Sequence, residues 1–402
     1  MKKVVSNIFR FFKREHMPKY IVLASTFIAG IIVFLFLSKQ DVTGTIVGSV
    51  VGFIFSTLMI SLIKIITGRF EDSLKVNCDT DSILKVYSEE LYKKTLTLNN
   101  TNIYFAYNDC FINDGTYKFE VIDHPNNYFQ LDDFIQGNFE SIFKSHLGSY
   151  KENTLTIRLD SFVKDDVNKK ITFNLSRSNF YNHLVTNRAI DVMLFNSISL
   201  RNMYECGPVL SPLENSKMSN HIGINALVFL NDGNILVPRR KGNSTISKNK
   251  VTSSIAIKLN LPDKLKPNDY INTDYVIRDN LFDNLQERLD LDESAIKIAK
   301  PNLFFLGFGR NVYEAGKPQF YYVIKLDIDT KTYQSLAIHN SKEKKIDVDK
   351  LIYIADYSSF KFDKGLLKFN IYNNKEKIKK VSVKYEMSYL CNIWHYEKYK
   401  NK

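Results

Sequence analysis

Apolar positions run almost unbroken in two places and alternate with polar ones over most of the remainder. From Tyr20 to Ser38 and from Thr43 to Thr67 no charge appears before Lys64, and only Lys39, Gln40, Asp41 and Val42 separate the two runs. Each run is close to the ~20 residues that a helix needs to cross a ~30 Å hydrocarbon layer, so the pattern predicts a transmembrane hairpin at 20–67 with spans 20–38 and 43–67. A signal peptide is the competing reading of the first run. Its length, the lack of an Ala-x-Ala cleavage site and the second span directly after it argue against that. Ahead of the hairpin, residues 1–19 place Val4, Val5, Ile8, Phe9 and Phe12 at helical spacing, mostly opposite Lys2, Lys3, Arg10, Lys13 and Arg14. Such a basic amphipathic segment is expected in the membrane interface.

Within the second run Gly44, Gly48, Gly52 and Ser56 recur every fourth position, a small-residue stripe that lets another helix backbone approach closely. The stripe predicts packing either between the two spans of one hairpin or between copies. A single-span anchor needs neither, which favours a homo-oligomer.

After the hairpin the period changes. Residues 70–205 read as an α/β linking region, with strands at Leu155, Ile157, Leu159 and at Ile171, Phe173, Leu175, and a helix starting near Ser178. In residues 206–402 an apolar strand, Ile224 to Leu230, leads through Asn231-Asp232-Gly233-Asn234 into a second strand ending at Arg239, Arg240 and Lys241. A helix follows from Asn280 to Leu289 with Leu281, Phe282, Leu285 and Leu289 on one face, then strands Leu303–Gly307 and Gln319–Leu326 around a loop holding Gly309, Tyr313 and Gly316. The tail from Lys361 predicts another strand pair turning at Asn373-Asn374, with Trp394 either in the core or at a bilayer surface. The fold class expected is α+β: a two-helix membrane hairpin followed by a cytoplasmic α/β region.

Charge sharpens this picture. The chain carries +12 overall, of which residues 1–19 supply +5, 20–69 supply +2 and 361–402 supply +7, leaving the middle slightly acidic. Basic ends around a near-neutral core suit anionic inner-membrane lipid rather than a DNA or RNA polymer. Six basic residues before the first span, against one at the hairpin tip, orient both the N-terminus and the C-terminal region to the cytoplasm. The four cysteines have no Cys-x-x-Cys spacing, so neither a disulfide framework nor a zinc site is expected.

The strand–helix–strand order of 206–402 resembles a Nudix domain, whose signature helix reads Arg-Glu-apolar-x-Glu-Glu-apolar-Gly-apolar. The corresponding stretch here is Asp283-Asn284-Leu285-Gln286-Glu287-Arg288-Leu289-Asp290-Leu291. Glutamates at i, i+3 and i+4 gather around Mg²⁺ and activate water. Only Glu287 remains, as a leftover ligand or as a salt-bridged helix residue, while Asn284 and Arg288 replace the other two. Upstream, Asp269 stands for the usual Gly and Tyr275 for the usual Glu. The resemblance therefore implies a degenerate Nudix-like domain with no metal, no cofactor and no catalytic residues.

Together with the paired spans, this looks like the two-transmembrane Nudix effectors of CBASS, the bacterial cyclic-oligonucleotide-based antiphage systems. The resemblance implies a cyclic nucleotide second messenger made by a CD-NTase, membrane disruption on binding it, and abortive infection as antiviral defence. A pocket that keeps its basic and polar residues still holds phosphate. The candidate contacts are Arg239, Arg240 and Lys250 for phosphate, Asn225 and Gln319 for base or ribose edges, and Tyr313 for stacking. A membrane-anchored Nudix hydrolase of a nucleoside diphosphate derivative, and a passive anchor for a binding domain, are the alternatives.

Overall fold

A strand buried on both faces needs cover on both, and β7 (Gly223–Phe229) is buried at every position. A computed structural model of the chain describes Thr57 and residues 76–402, except 147–151, 195–197, 241–248, 262–264, 345–350, 373–377 and 402. The expected segment 1–19, the hairpin at 20–67 apart from Thr57, and the stripe Gly44, Gly48, Gly52 and Ser56 lie outside the described residues. Among the described residues no helix is long and apolar enough to cross a membrane.

The described fold is mixed α+β, with its strands in three sheets. β1 (Lys93–Leu98) and β2 (Thr101–Ala106) form an antiparallel hairpin. β4 (Lys118–Tyr128) runs parallel to β6 (Lys170–Asn179), which pairs antiparallel with β5 (Leu155–Asp165). Of the alternating positions expected at Leu155, Ile157, Leu159, Ile171, Phe173 and Leu175, all but the half-buried Leu155 are in the core. The helix after β6 is Phe180–Val185, capped by the side chain of Asn179 rather than Ser178.

The large sheet has nine strands: β3 (Asn108–Ile112), β7, β8 (Asn234–Arg239), β9 (Ile255–Lys258), β10 (Asn302–Asn311), β11 (Lys317–Lys325), β12 (Leu351–Asp363), β13 (Leu366–Tyr372) and β14 (Ile378–Val383). β7 and β11 are parallel in register Gln319↔Gly223 to Lys325↔Phe229. β3 comes from before residue 205 and pairs with β10, and Leu74–Lys402 form one compact unit.

Strand alternation divides the two cores. Ile224, Ala226 and Val228 face one side with Phe320, Tyr322 and Ile324. There the helix Thr273–Leu289, longer than the expected Asn280–Leu289, packs Leu281, Leu285 and Leu289. Each of those leucines contributes roughly 1.5–3 kcal/mol by burial. Leu227, Phe229, Tyr321 and Val323 face the other side, against Leu390, Ile393 and Trp394 of the terminal helix Met387–Lys400. The tail thus adds a helix to its strand pair β13–β14, and Trp394 is core.

The edge of β7 splits, and the split positions the cavity described below. Gly223–Ala226 pair with β9, whereas β8 pairs with β7 only at Phe229↔Ile235. The Ser254 hydroxyl bridges the gap, accepting from the Val228 N–H at 2.9 Å and donating to the Leu236 carbonyl.

Gly307 marks a bulge in β10 at φ +140, where an added Cβ would sit 2.2 Å from the Phe111 carbonyl oxygen. Only glycine suits both the conformation and the approach. Gly307→Ala is expected to lower unfolding free energy by at least about 2 kcal/mol. An unchanged denaturation midpoint would refute this account of the bulge.

Candidate functional site

The β7 split, the start of β11 and the first residues of the terminal helix enclose a cavity of about 240 Å³. Asn225 enters it from β7, Lys258 from β9, and Lys317 and Gln319 from β11, because one strand face repeats every second residue. Arg240 and Lys250 lie where the chain leaves β8 and returns, and the Arg240 N–H donates to the Lys250 carbonyl at 3.0 Å.

The lining carries six cationic side chains, Arg188, Arg240, Lys250, Lys258, Arg288 and Lys317, against two carboxylates, Glu314 and Glu386. Glu314 takes Arg188 at 2.9 Å and Lys317 at 3.4 Å. Burial pushes its carboxyl up, but the two cations outweigh that and hold it below the usual range. Glu386 takes Arg240 at 2.5 Å. Lys258 lies 3.9 Å over the Phe180 ring. Arg288 donates to Asn284 at 2.7 Å, and burial together with the nearby Arg240 charge pulls its guanidinium down.

The polar centre is an amide pair, with Asn225 Nδ2 donating to Gln319 Oε1 at 2.7 Å. Gly223 makes room for it, since a Cβ there would sit 2.3 Å from Gln319 Oε1. The Asn225 amide carbonyl and the Gln319 amide NH₂ present one further acceptor and one further donor at the cavity.

The structure thus brings Asn225, Arg240, Lys250, Tyr313 and Gln319 to one cavity, but not Arg239. Adjacent residues at a strand end diverge, and Arg239 Nε instead donates to the Asn249 carbonyl at 3.3 Å. Tyr313 is 2% exposed, and its hydroxyl bonds Thr80 at 2.8 Å and accepts from the Ala106 N–H at 3.0 Å. It forms a wall of the cavity, with its hydroxyl committed to the frame.

Arg201 fixes that wall. From the helix Leu200–Tyr204, which a Ser199/Asn202 capping box starts, all five of its N–H groups are used. Two bind Asp191 at 2.7 and 2.9 Å, one Tyr87 at 3.0 Å, and two the carbonyls of Val312 and Tyr313 at 3.1 and 2.7 Å. The turn Val312–Glu314 thereby holds Tyr313 and Glu314 at the cavity.

Of the remaining charged residues of the lining, Arg288 is legible in the sequence only as the replacement of a Nudix glutamate, and Arg188, Lys258, Lys317, Glu314 and Glu386 are not singled out. Lys258 and Lys317 fall on strand faces that alternation marks, whereas nothing local distinguishes Arg188, Glu314 or Glu386. Among the described residues no group of three or more His, Cys, Asp or Glu side chains could hold a metal ion.

His183 and His221 stack at 3.8 Å in the cavity wall. Burial, reinforced for His183 by Lys317 and Arg188 and for His221 by its neighbour His183, holds both well below the usual imidazole value. His395 under the sheet is likewise lowered by burial, to about 3. The unfolded chain binds these protons near pH 6.5 and the folded chain does not, so stability is full above that pH and is lost progressively as pH falls below it, for His395 down to about 3. For His395 alone the loss from pH 7 to 5 is on the order of 2 kcal/mol. Urea denaturation at both pH values checks this, and equal midpoints would contradict it.

A scan against protein-family models finds none that matches this chain, and a search of curated proteins finds no similar sequence.

Proposed function

We propose that this chain is an inner-membrane effector of bacterial antiphage defence, whose cytoplasmic Nudix-like region binds a cyclic nucleotide and drives assembly of its membrane hairpin. The observation that carries the reading is the cavity, in which six cationic side chains surround an amide pair. Phosphate suits the cations through charge-assisted hydrogen bonds, and the amide pair offers both a donor and an acceptor to a base edge. The Nudix-like part draws support from the order β7, β8, β9, helix Thr273–Leu289, β10, β11, which sets Arg288 in the cavity where the family places a metal-binding glutamate. A cation there disfavours Mg²⁺ and favours the ligand's own anion. The partners under this reading are the messenger, membrane lipids and further copies of the chain.

The test is calorimetric titration of the full-length chain with cyclic oligonucleotides. Arg240→Ala and Lys250→Ala should each weaken binding by roughly 1–3 kcal/mol, and Arg239→Ala should leave it within about 0.5 kcal/mol. Absence of binding by every cyclic oligonucleotide would overturn the proposal. Metal-dependent turnover lost in Glu287→Gln would put the hydrolase in its place.

A further inference from the structure

Glu386 is an odd residue to find in a cavity meant for an anion. It is 6% exposed, its Oε1 lies 2.5 Å from Arg240 Nε, and its Oε2 accepts from Arg240 at 3.4 Å and from Ser388 Oγ at 3.3 Å. It stands at the N-cap of the helix Met387–Lys400 yet makes no side-chain capping bond to the helix backbone, and its carboxylate turns to Arg240. Its position is built in: the Glu386 N–H donates to the Val251 carbonyl at 3.0 Å, and the Val251 N–H donates to the Lys384 carbonyl at 2.8 Å. These bonds set Glu386 beside Lys250, whose ammonium has no ionic partner among the described residues.

We infer that Glu386 is the resident counter-ion of the cavity: it occupies on Arg240 the place that a ligand phosphate takes, and its displacement sets the anion affinity. The inference rests on the reading of the cavity as a phosphate site. The physics is competition. A guanidinium ion-paired with a buried carboxylate can offer the same nitrogens to phosphate only after the carboxylate withdraws, and until then the two anions repel one another at short range. Weakly held anions are excluded, and a ligand that brings two or more charges and further contacts displaces Glu386. Glu314, held between Arg188 and Lys317 at 2.9 and 3.4 Å, stays in place because two cations hold it.

The test uses the full-length chain in detergent and inorganic pyrophosphate as the probe, with binding read by calorimetry. Glu386→Gln keeps the shape and removes the charge, and it should tighten pyrophosphate binding by at least about tenfold. Glu386→Asp, which withdraws the carboxylate by one methylene, should tighten it less. In an Arg240→Ala background the Glu386→Gln gain should vanish, because the contested cation is gone. If wild type binds pyrophosphate and both Glu386 variants bind it equally or more weakly, the counter-ion role is overturned while the phosphate site stands. If neither wild type nor variants bind it, the phosphate reading of the cavity falls and the counter-ion role falls with it.

Discussion

Replacing Arg201 by Met is expected to destabilise the folded chain by about 3–5 kcal/mol and to abolish ligand binding along with it. Methionine has similar length but cannot donate. The change leaves the Asp191 carboxylate, whose side chain is 17% exposed, without its bidentate partner, and it takes a donor from the Tyr313 carbonyl, from the Val312 carbonyl, which keeps the Ala315 N–H, and from the Tyr87 hydroxyl, which keeps its bond to the Glu205 carbonyl. Among the described residues Asp191 then keeps the Asn77 N–H at 2.6 Å. Arg201→Lys should recover little, since a single ammonium has three donors where the site uses five in a fixed fork. Chemical denaturation of the variants measures the loss, and a wild-type midpoint in Arg201→Met would show that the network contributes nothing net.

Gly48→Leu together with Gly52→Leu is expected to abolish membrane permeabilisation while leaving ligand binding intact. The effect is all-or-none because the proposed output is assembly: leucines in the middle of a small-residue stripe hold helix backbones apart, yet keep the segment apolar enough to insert. A ligand shifts an assembly equilibrium only through its differential affinity for the assembled state, so with that state removed binding has nothing to drive. Membrane fractionation and calorimetry establish that the variant inserts and binds. Permeabilisation at the wild-type level would show that the stripe is not the working interface.

Part of the cavity was legible because some of its polar members ride on strongly patterned strands. Asn225 interrupts the apolar run of β7, and Gln319 opens the run of β11, so each stands out against its neighbours. What the sequence could not show is that these two strands are parallel partners, since the pairing of Gln319 with Gly223 joins residues far apart in the chain. The terminal helix escaped for a different reason. Tyr389 to His395 are all buried, so no polar stripe alternates with an apolar one and the helical period has nothing to mark it. Glu386 was invisible with it. Arg239 was grouped with Arg240 by adjacency, when adjacency at a strand end is a reason for two side chains to part.

The most direct measurement is dye release from liposomes of anionic inner-membrane composition containing the full-length wild-type chain, with a panel of cyclic oligonucleotides added outside proteoliposomes whose soluble region faces out. At least one compound should trigger release within the range in which it binds by calorimetry, and Arg240→Ala should shift the required concentration upwards by the same factor as its loss of affinity. A compound that binds the cavity but leaves the vesicles sealed would contradict the coupling of cavity to membrane.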